Sequence, residues 1–232
     1  MSVPLVISYY TKNTPYEKEV DYLVNACKKF GLEYLIEGIE DKGSWETNCS
    51  FKPYFIRDKM KELQRPLIWV DADAVFLKPM QKEDFMQADL AAFYDIKRLQ
   101  EPSLQDLFAF ADLNKKNSVE GLYKTVETLN AARFSVRSGT VYVNATPGGM
   151  QGLDLWCEYS DLIIKRQGQA AHYSDGMSLY CVFLSGLIQA VTMPASYCKI
   201  FDKPEEGLSS DGIVVEHNQA SRRFSSKGSI WI

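Results

Sequence analysis

Residues 66–79 read Pro66-Leu67-Ile68-Trp69-Val70-Asp71-Ala72-Asp73-Ala74-Val75-Phe76-Leu77-Lys78-Pro79, and their reading decides the fold. An apolar run of strand length ends abruptly in two carboxylates one residue apart. Unbroken apolarity marks a strand covered on both faces. In an open α/β sheet, ligands sit beyond the carboxyl ends of such strands. If the chain turns at once, Asp71 and Asp73 can both reach one point there. Their oxygens suit a hard divalent cation, Mg²⁺ or Mn²⁺. A diphosphate is the natural further ligand, since the cation would neutralise charge developing on a leaving phosphate. The same spacing occurs in plain solvated turns; the apolar residues on both sides of the pair argue against that here.

Two strand–helix units precede this stretch. VPLVISYY (3–10) is an apolar run of strand length. Thr14-Pro15-Tyr16-Glu17 then signals a helix start, with Thr14 to cap, Pro15 in the first turn and Glu17 to reach back. Tyr16, Val20, Leu23, Cys27 and Phe30 follow at helical spacing, and Gly31 is a natural stop. LEYLIEGI (32–39) predicts a second strand, and a helix over 53–63 has Pro53 in its first turn. Beyond the acidic pair, strands are expected at 89–95, 138–144, 189–194 and 212–218. Helices are expected at 103–113 and 118–131, from near Gly149, and at 174–186. Alternating strands and helices predict the α/β class, with helices on both faces of a mostly parallel sheet. No repeat, low-complexity tract or linker breaks the chain, so residues 1–232 read as one domain.

Composition narrows the function classes. Of the 232 residues, 46% are hydrophobic and 24% charged, as in a globular protein with a real core. The net charge of -4 gives no general attraction to nucleic acid, so no nucleic-acid partner is expected. Five scattered cysteines, with no metal-type spacing, read as reduced thiols of a cytoplasmic protein. The first residues read as a strand and not a signal peptide. No run approaches the roughly 20 apolar residues that span a bilayer, so any contact with a membrane-linked acceptor would be peripheral.

Several segments, in order, carry a family resemblance. They are ISYYTKN (7–13), Trp45-x-x-Asn48-x-x-x-Lys52-Pro53, VDADAVFLKP (70–79), SGTVYVNAT (138–146), His172-Tyr173-Ser174-Asp175-Gly176-Met177-Ser178-Leu179, and VVEHNQASRR (214–223). Together they resemble the GT-A fold glycosyltransferases of the nucleotide-diphospho-sugar transferase superfamily, and their order carries the match. The resemblance implies a Rossmann-like three-layer α/β/α fold with a mixed, mostly parallel central sheet. Its nucleotide-binding half would span about 1–95 and its acceptor and sugar half about 96–232.

The implied activity is transfer of a sugar from a nucleotide-diphosphate sugar, UDP-linked before GDP-linked, to a glycan or glycolipid hydroxyl. The implied cofactor is Mn²⁺ or Mg²⁺, held by Asp71, Asp73 and His217, and Asp71 with Ala72 would also border the ribose. Ser8, Tyr9, Tyr10 and Thr11 would meet the base and ribose, the tyrosines offering a ring. Lys52 would meet phosphate or base. Arg137, Ser138 and Gly139 would face the donor sugar, and Arg222, Arg223 and Lys227 the diphosphate. Asp175 would be the catalytic carboxylate, as base on the acceptor or as a group holding a sugar. Two positions depart from the family pattern: Gly176 stands where a glutamine is usual, and no G-x-K-P-W segment follows His217.

Other readings stay open. A hydrophobic strand followed by Asp-x-Asp also resembles haloacid-dehalogenase-like phosphatases, with Asp71 as nucleophile and Asp73 as general acid. The motif's late place in the chain and the lack of a later acidic pair count against this. A non-catalytic nucleotide-sugar-binding protein would use the same donor residues. Nucleotidyltransferases share the architecture, but their glycine-rich phosphate loop near the N-terminus is missing.

Overall fold

A computed structural model describes residues 3–94, 136–167, 174–201 and 210–221. The helices expected at 103–113 and 118–131 lie outside these residues, as do Arg222, Arg223 and Lys227.

The strands are β1 (Leu5–Thr11), β2 (Tyr34–Ile39), β3 (Leu67–Val70), β4 (Ala74–Phe76), β5 (Leu90–Tyr94), β6 (Val136–Val143), β7 (Ala190–Thr192), β8 (Lys199–Ile200) and β9 (Val215–His217). The described α-helices are α1 (Tyr16–Phe30), α2 (Trp45–Ser50), α3 (Lys52–Leu63), α4 (Pro147–Gln167) and α5 (Ser174–Ser185). Six strands form a mixed sheet in the order β2-β1-β3-β6-β5-β7, and β4-β9-β8 form a small second sheet. In the large sheet β6 alone runs against the rest: it is antiparallel to β3 and β5, while β1–β2, β1–β3 and β5–β7 are parallel.

Local chemistry accounts for the elements. The Thr14 hydroxyl accepts from Tyr16 N and donates to Thr11 O, and Glu17 reaches back to Asn13 N, so the β1–α1 turn is closed from both sides. Gly31 ends α1 with a φ of 63°, the left-handed geometry that glycine adopts without strain. Ser44 caps α2 by accepting from Thr47 N at 3.1 Å, and Pro53 occupies the first turn of α3. Helix α2 was not expected, because its six residues are too few to show a period.

The sheet's two faces are both covered. On one, Leu5, Ile7, Tyr9, Leu67 and Trp69 pack with Phe55, Ile56 and Trp156 of α3 and α4. On the other, Val6, Ile68 and Val70 pack with Leu23 and Cys27 of α1 and with Phe76 and Val215 of the small sheet. Burial on both sides is why β1 and β3 read as unbroken apolar runs.

Candidate active site

Strand β3 ends at Val70, and Asp71-Ala72-Asp73 form the turn into β4, closed by Ala74 N donating to Asp71 O at 3.0 Å. The turn is held from two sides. Asp71 N donates to Gly139 O of β6 at 2.9 Å, and Asn218 N donates to Asp73 O at 3.0 Å. Strand β4 runs antiparallel to β9 with Ala74 opposite His217. That pairing brings a histidine from the end of the chain to the acidic turn, since directly opposed residues are close neighbours. Ligand atoms of Asp71, Asp73 and His217 lie within 4.8 Å of one another.

The side chains are fixed from behind. Asp71 Oδ1 accepts from Trp69 Nε1 at 2.8 Å and faces the Lys52 ammonium at 3.0 Å. Asp73 Oδ2 accepts from Ala220 N at 2.7 Å. His217 is buried, and its Nε2 shares a hydrogen bond of 2.9 Å with the Thr140 hydroxyl. Its ring lies against Gly139, where an added Cβ would stand 2.7 Å from Cε1 and 2.9 Å from Nδ1. Gly139 is thus required by the imidazole beside it. Burial, then the neighbouring Asp71, pushes the Asp73 carboxyl up to about 6, against the pull of the Ala220 N–H. Two carboxylates packed together beside an imidazole form the oxygen and nitrogen donor set a divalent cation takes.

A second cluster adjoins the first. Lys52, 4% exposed, projects from the start of α3. Its Nζ lies 2.7 Å from Asp175 Oδ2 and donates to Ser138 O at 3.1 Å. Ser138 Oγ donates to the same Asp175 oxygen at 2.7 Å. Burial would raise the Asp175 carboxyl, but the Lys52 charge, hydrogen bonds from Lys52 and Ser138, and the Gly176 N–H outweigh it and hold the group below the usual carboxylate range. Burial would likewise lower Lys52, but Asp175 and Asp71 more than offset it and raise the ammonium's pKa. Asp175 sits in the first turn of α5, where the helix dipole favours an anion. Buried Trp156 of α4 donates to Asp175 O and Ser178 Oγ, both at 3.0 Å, and pins that turn. A side chain at Gly176 would press on Val136 O at 3.0 Å, a local reason for glycine at this departure from the family pattern.

Other candidate residues fall elsewhere. Tyr9 does not present an open ring. It is buried among Phe51, Phe55 and Trp69, with centroids 5.8, 5.2 and 4.9 Å away, and its hydroxyl donates to Asn48 O. Ser8, Thr11 and Ala72 are also buried. Tyr10 is half-buried and lies across Gly38 of the neighbouring strand, where an added Cβ would come within 3.0 Å of its ring. Arg137 Nη1 donates to Cys198 O at 3.0 Å, and its guanidinium stacks over Phe93 at 5.0 Å.

Sequence reasoning missed Trp69 and Thr140, whose polar atoms fix Asp71 and His217, and it missed half-buried Tyr16. Burial raises the Tyr16 phenol, with Asp73 the first of the nearby charges; it also takes a hydrogen bond from Trp45. Cys49 stands beside the same groups: burial, then the Asp175 charge, raises its thiol. No sequence period marks these residues: Trp69 acts on Asp71 two positions along, and the others act across the fold.

No protein-family model matches the chain, and no curated protein matches it in sequence. Among solved structures, a glycosyltransferase involved in the glycosylation of the major capsid of PBCV-1 superposes with a TM-score of 0.59. The match covers 99% of this chain and 100% of that one, at 11% identity. The chain therefore shares the fold of that glycosyltransferase, with the mixed sheet and flanking helices expected from the sequence.

Proposed function

We propose that this chain is a metal-dependent glycosyltransferase that moves a sugar from a nucleotide-diphosphate sugar, UDP-linked, to a hydroxyl of a glycan or glycolipid. The observation that carries the reading is the convergence of Asp71, Asp73 and His217 within 4.8 Å at the end of β3, on a glycosyltransferase fold. Two carboxylates and one imidazole fit Mn²⁺ or Mg²⁺. Bound there, the cation would offset charge on the departing diphosphate.

The chain's own residues supply the rest. Asp71, with one oxygen engaged by Trp69 and Lys52, and Asp73, with one engaged by Ala220, each keep a second oxygen to offer. The Thr140 hydroxyl orients the His217 ring, the outer support that metal-binding histidines generally have. Asp175 is held ionised, so it is a weak base. It reads better as a fixed acceptor for a sugar hydroxyl than as the group that takes the acceptor's proton. No helix of the described residues is long and apolar enough to cross a membrane, which suits a cytoplasmic enzyme that meets a lipid-linked acceptor peripherally.

The test is release of nucleoside diphosphate from a panel of nucleotide-sugars, with glycan and glycolipid acceptors and with Mn²⁺, Mg²⁺ or EDTA. Acceptor-dependent release that needs the metal supports the proposal. Phosphate release from simple phosphomonoesters would move the chain to the phosphatases.

A further inference from the structure

The Lys52 ammonium is buried between two carboxylates that belong to different clusters. Its Nζ is 3.0 Å from Asp71 Oδ1 and 2.7 Å from Asp175 Oδ2. Residues 52 and 175 are 123 apart in the chain and come from α3 and α5. Both helix starts are fixed independently, α3 by Pro53 in its first turn and α5 by Trp156. Ser138 O and Oγ lie at 3.1 and 3.3 Å from the same nitrogen. An ammonium has three hydrogens to donate, and these four oxygens already surround it. Its side chain also lies beside the Trp69 ring, 5.5 Å from the centroid.

We propose that Lys52 is a positioning residue, a buried bridge that ties the metal-side carboxylate Asp71 to the sugar-side carboxylate Asp175, and that it does not itself bind the donor. This goes beyond the activity proposed above and rests on it for its catalytic meaning. The bridge sets the distance between the point that would hold the diphosphate and the point that would hold the sugar. Without the ammonium, Asp175 would be a buried charge with no counter-ion, a costly state that it would relieve by moving or taking up a proton. Arginine could supply the charge, but its planar fork does not reproduce a compact ammonium's contacts. A cation near Asp71 feels the ammonium as a repulsion, so cation binding does not depend on Lys52.

The experiment compares the wild type with Lys52→Met, Lys52→Arg, Asp175→Asn and the Lys52→Met/Asp175→Asn double variant. Three quantities are read: Mn²⁺ affinity by calorimetry without nucleotide, melting temperature, and kcat and KM for transfer. Lys52→Met should lower kcat about 100-fold with donor KM little changed, the signature of misplaced groups and not of a lost donor contact. Lys52→Arg should recover part of that loss. Mn²⁺ should bind Lys52→Met at least as tightly as wild type. The melting-temperature losses should be strongly non-additive, the double variant being more stable than Lys52→Met alone.

A large rise in donor KM at unchanged kcat would overturn the bridge, since Lys52 would then touch the donor. Additive melting-temperature losses would also overturn it. If the wild type transfers no sugar, the proposed activity fails on its own. The bridge is then decided by the double-variant cycle and by Mn²⁺ affinity.

Discussion

The imidazole of His217 packs against the backbone of Gly139, so closely that a Cβ there would lie 2.7 Å from Cε1. The same glycine's carbonyl accepts from Asp71 N at 2.9 Å. One residue therefore shapes both the histidine and the acidic turn. Gly139→Ala should push the ring out of place and weaken Mn²⁺ binding about 10–100-fold, the range seen when outer supports of a metal site are removed. Titration calorimetry reads this directly. An alanine variant that binds Mn²⁺ as the wild type does would show that His217 is no ligand.

Thr140→Val is a gentler version of the same question. It keeps the shape but removes the hydroxyl 2.9 Å from His217 Nε2. A loss of Mn²⁺ affinity of about tenfold or more, with the fold intact by circular dichroism, is expected.

Asp73 gives a pH signature. Its folded carboxyl is raised to about 6 from an ordinary 3.8, first by burial and then by Asp71. Between those values the folded state holds a proton that the unfolded state has lost. Its contribution to the stability of the metal-free protein therefore falls as pH rises through that window. Asp73→Asn should gain on the wild type as pH rises, by on the order of 1–3 kcal/mol near neutrality once partial exposure is allowed for. Mn²⁺ should close the gap by stabilising only the wild type. Melting curves across the window, with and without metal, provide the check; a difference independent of pH contradicts the assignment.

Trp156→Phe addresses the other cluster. The indole N–H is buried and donates to Asp175 O and Ser178 Oγ. Its loss should cost about 1–3 kcal/mol of stability, the usual penalty for buried polar groups short of a donor. It should lower kcat while leaving Mn²⁺ affinity unchanged, because Trp156 supports α5 and not the acidic turn. Denaturant melts paired with calorimetry separate the two effects.

Much of the fold was legible because it rests on local pattern. The buried strands β1 and β3, the Gly31 stop and the acidic end of β3 each announce themselves within a dozen residues. The small sheet was only partly legible: β4 and β8 are three and two residues long, too short for any period to register. The pairing of β4 with β9 was therefore invisible, although it is what brings His217 to Asp73. His217 entered the candidate site through family resemblance alone. The nature of the Tyr9 environment was hidden for a related reason, since an aromatic at a strand end reads the same whether it meets a ligand or the side chains of Phe51, Phe55 and Trp69. Lys52 was expected to meet phosphate or base. Only the fold shows that two carboxylates from distant segments enclose it.

The most direct measurement is UDP affinity by titration calorimetry with Mn²⁺ and again with EDTA, for the wild type and Asp73→Asn. The proposed site predicts binding by the wild type with Mn²⁺ and a loss of about 10–100-fold or more with EDTA or in Asp73→Asn. Equal UDP affinity in Mn²⁺ and in EDTA would contradict a cation-held diphosphate at the end of β3.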